Sequence, residues 1–282
     1  MSIVTAPVSG VASLAVRDLL RGPRRCGRVL AVLPDVIYLE FPDSAPEPRV
    51  IAVSSPDAIR LPNAVVTSRQ AQLITSGTDA EAGEGRLTAG GLDVRIMRWW
   101  DPSPVFGPLS RVRLDHGAAV LARHCQAAEY QGGLSDHHVP ASLAAACASG
   151  NLADAVEAAE LLTGLGPGLV PSGDGIVCGI LLALRLLGGA ISGGTRAVWL
   201  ADWLGAAATG YAAQRTTPLA AALLHCAASG QAAAEVSAVL GGMAGQEPLE
   251  PAAARLLTGT AGADLAWGLV AGCRAALMLS VS

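Results

Sequence analysis

Residues 86–102 read RLTAGGLDVRIMRWWDP, and this stretch decides how the first part of the chain folds. A Gly90-Gly91 pair separates two short apolar runs, which is typical of a β-hairpin turn. In the second run Leu92, Val94 and Ile96 alternate with polar residues, as in a strand that buries one face. The two predicted strands are Arg86–Thr88 and Leu92–Trp99.

The sequence before this hairpin has the same character. β-branched and apolar runs are separated by glycine, proline and polar turn residues, as at Pro34-Asp35. The further predicted strands are Arg28–Val32, Val36–Phe41, Arg49–Ser54 and Ala64–Thr67, with a short helix at Ser13–Leu20. We therefore interpret residues 1–108 as a β-rich domain, either a small barrel or a sandwich.

The sequence after the hairpin changes composition. Alanine, leucine and glycine dominate, β-branched runs nearly vanish, and glycine pairs separate long apolar segments. The predicted helices are Arg111–Ala128, Pro140–Ala148, Leu152–Thr163, Gly173–Leu187, Gly194–Ala213, Pro218–Ala228, Ala232–Leu240, Pro251–Leu257 and Ala263–Leu279. We predict an α+β protein in which an all-α, Ala/Gly-rich domain, 109–282, follows the β-rich one.

The composition excludes several classes of protein. Of 282 residues 51% are apolar and 15% charged, which supplies a core and argues against disorder. The 19 basic residues are all arginine, so no lysine is present for a Schiff base or a P-loop. A net charge of −4 and 4% aromatic residues argue against a nucleic-acid partner.

The same survey predicts a cytoplasmic protein without a resident cofactor. The six cysteines show no CxxC spacing, so we predict neither a zinc site nor a dithiol centre. The N-terminus lacks the pattern of a signal peptide. The longest apolar runs each contain an arginine, so we interpret them as buried helices and predict no membrane partner.

The most unusual segment is residues 164–175, GLGPGLVPSGDG, which lies between two predicted helices. Gly164 suits a left-handed helix cap, and the next helix can start at Ser172 with Asp174 in its first turn. Backbone N–H groups around Gly166, Gly168 and Gly173 then favour a phosphate or carboxylate. The alternative interpretation is an elaborate turn between two helices, with Asp174 serving the helix dipole.

Two further helix starts carry similar chemistry. In residues 214–218, QRTTP, Arg215 suits an anionic oxygen, Thr216 adds a hydroxyl, and Thr217 is a candidate N-cap before Pro218. In residues 259–264, GTAGAD, either Thr260 or Gly262 caps the last helix and Asp264 lies in its first turn. If the fold gathers the three starts, they form a polar pocket. The alternative is that each is an ordinary capped start.

The histidines are weaker candidates from sequence. The adjacent pair His137-His138 lies in a Gly/Ser/Asp segment, which favours a surface loop over a common target. His116 and His124 can share one helix face, where packing is favoured over a metal site.

The three helix starts together resemble a known family. Gly164–Asp174 is similar to the signature Gly-Leu-Gly-Pro-Gly-Leu-Thr-Pro-Ser-Gly-Asp-Asp of the bacterial family of AllH, a subunit of oxamate carbamoyltransferase in allantoin breakdown, part of purine degradation. Arg215–Thr217 and Gly259–Asp264 resemble its second and third features. The chain departs from the family where Val170, Gly175 and Ala261 replace the usual threonine, aspartate and serine.

The resemblance implies a transferase that moves a carbamoyl group between phosphate and a small amide, converting oxalurate and phosphate into oxamate and carbamoyl phosphate. On this hypothesis the residues that bind the small anionic substrate are Gly164, Gly166, Gly168, Ser172, Gly173, Arg215 and Thr260. The candidate catalytic residues are Asp174, Asp264, Thr216 and Thr217. We expect Arg215→Ala to weaken anion binding by on the order of 10–100-fold.

Two other functions stay open at this point. The three lost polar groups also suit a stand-alone lyase, cyclase or hydrolase of specialised metabolism that acts on a small carboxylate or amide. Alternatively the chain is a non-catalytic subunit whose loops complete a partner's site. The expected assembly is a hetero-oligomer with other transferase subunits or a homo-oligomer.

Overall fold

We describe a computed structural model, in which the described residues are 7–41, 45–68, 74–128, 132–134 and 136–280. The chain divides into two compact units, Met1–Pro102 and Ser103–Ser282. The first is built of strands and the second of helices, which confirms the predicted α+β class.

The first unit is a closed eight-stranded barrel with the strand order β1-β5-β4-β3-β2-β6-β7-β8. The pairs β1–β8 and β4–β5 are parallel and the other pairs are antiparallel. Its strands are β1 (Val8–Ser13), β2 (Arg25–Val32), β3 (Val36–Glu40), β4 (Val50–Ser54), β5 (Ala64–Thr67), β6 (Asp79–Gly83), β7 (Arg86–Ala89) and β8 (Leu92–Trp100). Of the two architectures left open by the sequence, the barrel is therefore the one adopted.

The predicted hairpin at residues 86–100 is β7–β8, and its apolar and polar side chains alternate between the two faces as predicted. Leu87 pairs with Val94 across the hairpin, and both side chains are fully buried in the barrel core. Arg86 and Asp93 form an ion pair beside them. Because successive residues of a strand point to opposite faces, burial of one set leaves the polar set outside.

Strands β1 and β6 were not predicted. Strand β6 has the sequence DAEAG, in which small buried Ala80 and Ala82 alternate with exposed acids and no residue is β-branched. Strand β1 includes Ser13, so the predicted helix at 13–20 is a 3₁₀ turn at Leu14–Val16 followed by α1 (Arg17–Arg21). Weak local propensity at both strands is overridden by pairing within the closed barrel.

The second unit contains a helix for each helix that the sequence predicts. They are α2 (Arg111–Ala127), α3 (His138–Ser149), α4 (Leu152–Leu162), α5 (Ser172–Leu182), α6 (Gly188–Ala190), α7 (Thr195–Arg215), α8 (Pro218–Ala228), α9 (Ala234–Met243), α10 (Leu249–Leu256) and α11 (Thr260–Leu279). A π-helical segment, Ala183–Leu187, joins α5 to α6, so the single predicted helix at 173–187 is continued by a wider turn.

Helices α5 and α11 form the centre of this unit because glycines let their backbones touch. A Cβ atom on Gly272 would lie 2.7 Å from the Ile180 carbonyl oxygen, and one on Gly179 would overlap that of Leu265. Both distances are shorter than real Cβ contacts, so a larger residue at either position would push the helices apart. This close pair brings the first turns of α5 and α11 together.

Residues 172–190 and 261–279 have the length and the mean hydropathy, 1.6 and 1.3, of membrane-spanning helices. In the structure 78% and 61% of their residues are buried within the protein. Core helices pass the same test of length and hydropathy. The apolar character of these two helices is therefore accounted for by their packing in this unit.

Candidate functional site

The Gly-rich loop is shaped first by close backbone contacts. Helix α4 ends at Leu162, and Gly164 follows in a left-handed conformation with φ +79°, as predicted for a helix cap. A Cβ atom on Gly164 would overlap the Arg215 carbonyl oxygen, and one on Gly173 would overlap the Leu162 carbonyl oxygen. These two glycines therefore bring the ends of α4 and α7 against the start of α5.

Asp174 holds this junction together. Its side chain is fully buried and accepts hydrogen bonds from the backbone N–H of Gly164, at 3.2 Å, and from the Thr216 hydroxyl, at 2.6 Å. Burial raises the pKa of Asp174 to about 6, and the two hydrogen bonds act in the opposite direction. Asp174 thus joins the loop to the end of α7.

The QRTTP segment sends its side chains in different directions. Thr217 caps α8 by accepting from the Ala220 N–H at 3.1 Å, as predicted, and its hydroxyl donates to the Leu169 carbonyl oxygen at 2.6 Å. Arg215 is exposed and donates from Nη1 to the Glu160 carbonyl oxygen at 2.9 Å. The threonines therefore fasten the loop, while Arg215 lies along α4.

Several N–H groups of the loop already have partners within the protein. The N–H of Gly164 donates to Asp174, that of Leu165 to the Leu162 carbonyl, and that of Gly173 to the Leu165 carbonyl. The space beside Gly168 is open, because a Cβ atom there would meet nothing within 4 Å. The part of the loop that borders open space is therefore its middle, around Gly168.

Asp264 forms a second cluster one turn into α11. Its side chain is only 2% exposed, and its Oδ2 atom has no hydrogen-bond partner among the residues that the structure describes. Burial raises the pKa of Asp264, and hydrogen bonding from the Ser172 side chain and the Gly133 backbone partly offsets the shift. A buried carboxylate oxygen without a donor is costly, which marks this position for a ligand.

A cavity of about 350 Å³ opens beside Asp264. Its described lining is Cys125, Gly132, Leu134, His137, Pro140, Ala141, Ile176, Ala263, Asp264 and Trp267. Most of this surface is apolar, and Gly132 leaves room at the carboxylate, since a Cβ there would lie 2.5 Å from Asp264 Oδ1. Burial raises the pKa of the Cys125 thiol to about 11, which disfavours the thiolate at neutral pH.

The segment that contains both clusters carries the family signal. Residues 162–273 match the family described as Oxamate carbamoyltransferase subunit AllH. This stretch of the chain is AllH-like. The match covers less than half of the chain and includes neither the barrel nor α2 and α3. No curated protein and no solved structure matches the chain.

The AllH match begins at the end of α4 and ends within α11, so it contains every residue that the sequence put forward for the site. The structure gathers five of them into two clusters, whereas Arg215 is exposed along α4 and Thr217 caps α8. Gly164, Asp174 and Thr216 form the first, and Ser172 with Asp264 forms the second. Gly166 lies between them, since a Cβ there would be 3.0 Å from the Ser172 backbone nitrogen.

Three predicted details of the helix starts are wrong. Ser172 is the first residue of α5 and makes no capping bond; its side chain is hydrogen-bonded to Asp264 instead. The N-cap of α11 is Gly259 rather than Thr260 or Gly262, and Asp264 therefore lies beyond the first turn. The side chain of Thr260 lies outside the described residues, as its backbone alone is described.

Part of the cavity wall was not predicted from the sequence. His137, Trp267 and the Gly132-Gly133 pair border Asp264, although two of these features lie outside the AllH match. The signal available in the sequence was the Gly132-Gly133 pair shortly before His137. Within the described ranges no group of three or more His, Cys, Asp or Glu residues is arranged to hold a metal ion.

Proposed function

We propose that the cavity beside Asp264 binds the amide end of a small substrate, and that the chain acts in carbamoyl transfer as an AllH-type subunit of an oxamate carbamoyltransferase. The observation that carries this proposal is the unpartnered, buried Oδ2 atom of Asp264 at the cavity wall. The AllH match supports the reaction class.

A carboxylate oxygen in this position selects for a ligand that donates a hydrogen bond. An amide or ureido N–H supplies that donor, whereas a second anionic oxygen would be repelled. The apolar lining, including Trp267 and Ile176, strengthens this preference because a low local dielectric increases the cost of an unpaired polar group. The amide end of the substrate therefore faces Asp264, and its anionic end points away.

The Gly-rich loop is the candidate for the anionic end. It is connected to Asp264 through Ser172, whose side chain is hydrogen-bonded to Asp264 and whose backbone borders Gly166. The open middle of the loop, around Gly168, offers backbone N–H groups to a phosphate or carboxylate oxygen. Asp174 and Thr216 act by holding this loop in place.

The proposed chemistry balances as a transfer from nitrogen to oxygen. A phosphate oxygen attacks the carbamoyl carbon of the ureido substrate, the bond from that carbon to the leaving nitrogen breaks, and carbamoyl phosphate forms. The proton of the phosphate hydroxyl ends on the leaving nitrogen, which becomes the amide of oxamate. A carboxyl group whose pKa burial has raised, as at Asp264, suits the transfer of that proton.

Binding by the purified chain tests the site. We expect oxamate and carbamoyl phosphate to give saturable heats in isothermal titration calorimetry, and Asp264→Asn to weaken oxamate binding by about 10–100-fold. Glu250→Gln, which changes an acid at a separate cavity between α2 and α10, is the matched control and should bind as the wild type. Equal binding by Asp264→Asn would contradict the proposal.

A turnover assay on the same preparation distinguishes a stand-alone enzyme from a subunit that needs its partners. Oxamate-dependent release of phosphate from carbamoyl phosphate by this chain alone indicates a stand-alone enzyme. Binding without turnover indicates a subunit that needs its partners, as the description of the AllH family implies.

A further inference from the structure

His137 faces the same cavity as Asp264 and is held there by two contacts. It is the N-cap residue of α3, where its Nδ1 atom accepts the backbone N–H of Val139 at 3.3 Å. Its ring stacks on that of His138, with centroids 5.1 Å apart and an angle of 13° between the planes. Both contacts fix the orientation of the His137 ring.

The capping bond also fixes the position of the hydrogen on this ring. A neutral imidazole carries one N–H and one lone pair, and Nδ1 must present its lone pair to Val139. The hydrogen of the neutral ring is therefore on Nε2, which makes that atom a donor. Asp264 and the exposed His137 both line the cavity, so its lining residues include an acceptor, Asp264 Oδ2, and a donor, His137 Nε2.

We propose that this donor–acceptor pair recognises a primary carboxamide in the cavity, with Asp264 Oδ2 accepting its N–H and His137 Nε2–H donating to its carbonyl oxygen. This inference rests on the proposed function, because it specifies how the same site selects its substrate. A primary carboxamide offers N–H donors on its nitrogen and an acceptor on its carbonyl oxygen, so it can satisfy both Asp264 Oδ2 and His137 Nε2. A carboxylate offers two acceptors, one of which would face Asp264.

The residue type at position 137 favours a role beyond the cap. Serine, threonine, aspartate and asparagine are the preferred N-cap residues, and none of their side chains reaches as far as the Nε2 atom of an imidazole. A histidine performs the same cap and places Nε2 on the far side of the ring. Only that far nitrogen distinguishes His137 from an ordinary cap.

Two substitutions separate the cap from the donor. In His137→Asn the amide oxygen replaces Nδ1 as the acceptor for Val139, but the Nε2 donor is lost. We expect its melting temperature to stay near that of the wild type and its oxamate affinity to fall roughly three- to tenfold. In His137→Gln the longer side chain keeps a donor near Nε2 and loses the cap, so we expect near-wild-type affinity with a lower melting temperature.

The measurement is calorimetric titration of the intact chain with oxamate, and with oxalate as the probe that lacks an amide. His116→Asn is the control for a histidine on another helix. We expect the wild type to prefer oxamate over oxalate and His137→Asn to lose part of that preference. If His137→Asn binds and discriminates as the wild type does while Asp264→Asn fails to bind, the role of His137 is overturned and the proposed function stands. If the wild type binds neither oxamate nor carbamoyl phosphate, both are overturned.

Discussion

The buried carboxyl group of Asp174 should make the stability of the chain depend on pH. Burial raises its pKa from the ordinary 3.8 to about 6 in the folded chain. The folded state therefore holds the proton more tightly than the unfolded state. The stabilisation from this group is complete below pH 3.8 and is lost as the pH rises through about 6.

The size of the effect follows from the same two values. A pKa that moves from 3.8 to about 6 changes the free energy of unfolding by on the order of 3 kcal/mol across that interval. Asp174→Asn removes the titrating group while keeping an oxygen for Thr216 or Gly164. The difference in unfolding free energy between the wild type and this variant should therefore change by about that amount between pH 7.5 and pH 4, in favour of the wild type at low pH.

Urea unfolding at a series of pH values measures this difference. Subtracting the variant from the wild type cancels the other carboxyl groups, including Asp264, whose pKa burial also raises. Thr216→Val is a companion variant: it removes the 2.6 Å hydrogen bond that favours the charged form, so the pH at which stability is lost should move upward. A difference between wild type and Asp174→Asn that stays constant from pH 4 to pH 7.5 would refute this reasoning.

Three further predictions concern the Gly-rich loop and the residues around it. Gly173→Ala places a Cβ atom on the Leu162 carbonyl oxygen and should lower the free energy of unfolding by at least about 1–3 kcal/mol. Gly175→Ala is the control, because the nearest contact of its Cβ atom is at 3.4 Å, and it should be neutral or stabilising in thermal unfolding. Thr217→Val removes both the cap of α8 and the bond to Leu169 and should cost about 1–2 kcal/mol, while Thr217→Ser should keep most of the stability; equal melting temperatures would contradict this. Arg215→Ala decides where the anion binds. The sequence alone predicts a loss on the order of 10–100-fold, but because Arg215 is exposed and donates to the Glu160 carbonyl oxygen, we now expect little change in oxamate affinity. The larger loss would place the anion beside Arg215 instead.

Much of the fold could be predicted because the two halves of the sequence have different periodicities. The alternation in Leu92–Trp100 and the long Ala/Leu segments after residue 110 identify strands and helices without tertiary information. Strand β6 could not be found in this way, because DAEAG has no intrinsic preference for a strand and is held by its neighbours. Closure of the barrel depends equally on pairing between distant strands, as between β1 and β8.

The candidate site was predictable only in part. The positive φ of Gly164 after α4 and the Thr217 cap of α8 are features of helix ends, so they follow from local sequence. The close approaches of Gly164 to Arg215 and of Gly173 to Leu162 depend on packing instead. The different surroundings of Asp174 and Asp264 do not, because they depend on how α5 and α11 pack. One carboxylate is satisfied by Gly164 and Thr216, and the other keeps an unpartnered oxygen within the described structure. The sequence favoured a surface loop for His137 because Asp264, which lines the same cavity, is distant in sequence.

A crystal structure of the intact chain with oxamate tests the central claim most directly. The account predicts oxamate in the cavity between α3, α5 and α11, with its amide nitrogen about 2.7–3.2 Å from Asp264 Oδ2. Oxamate bound elsewhere, such as beside Arg215 at the end of α7, or an empty cavity at a saturating concentration, would contradict it.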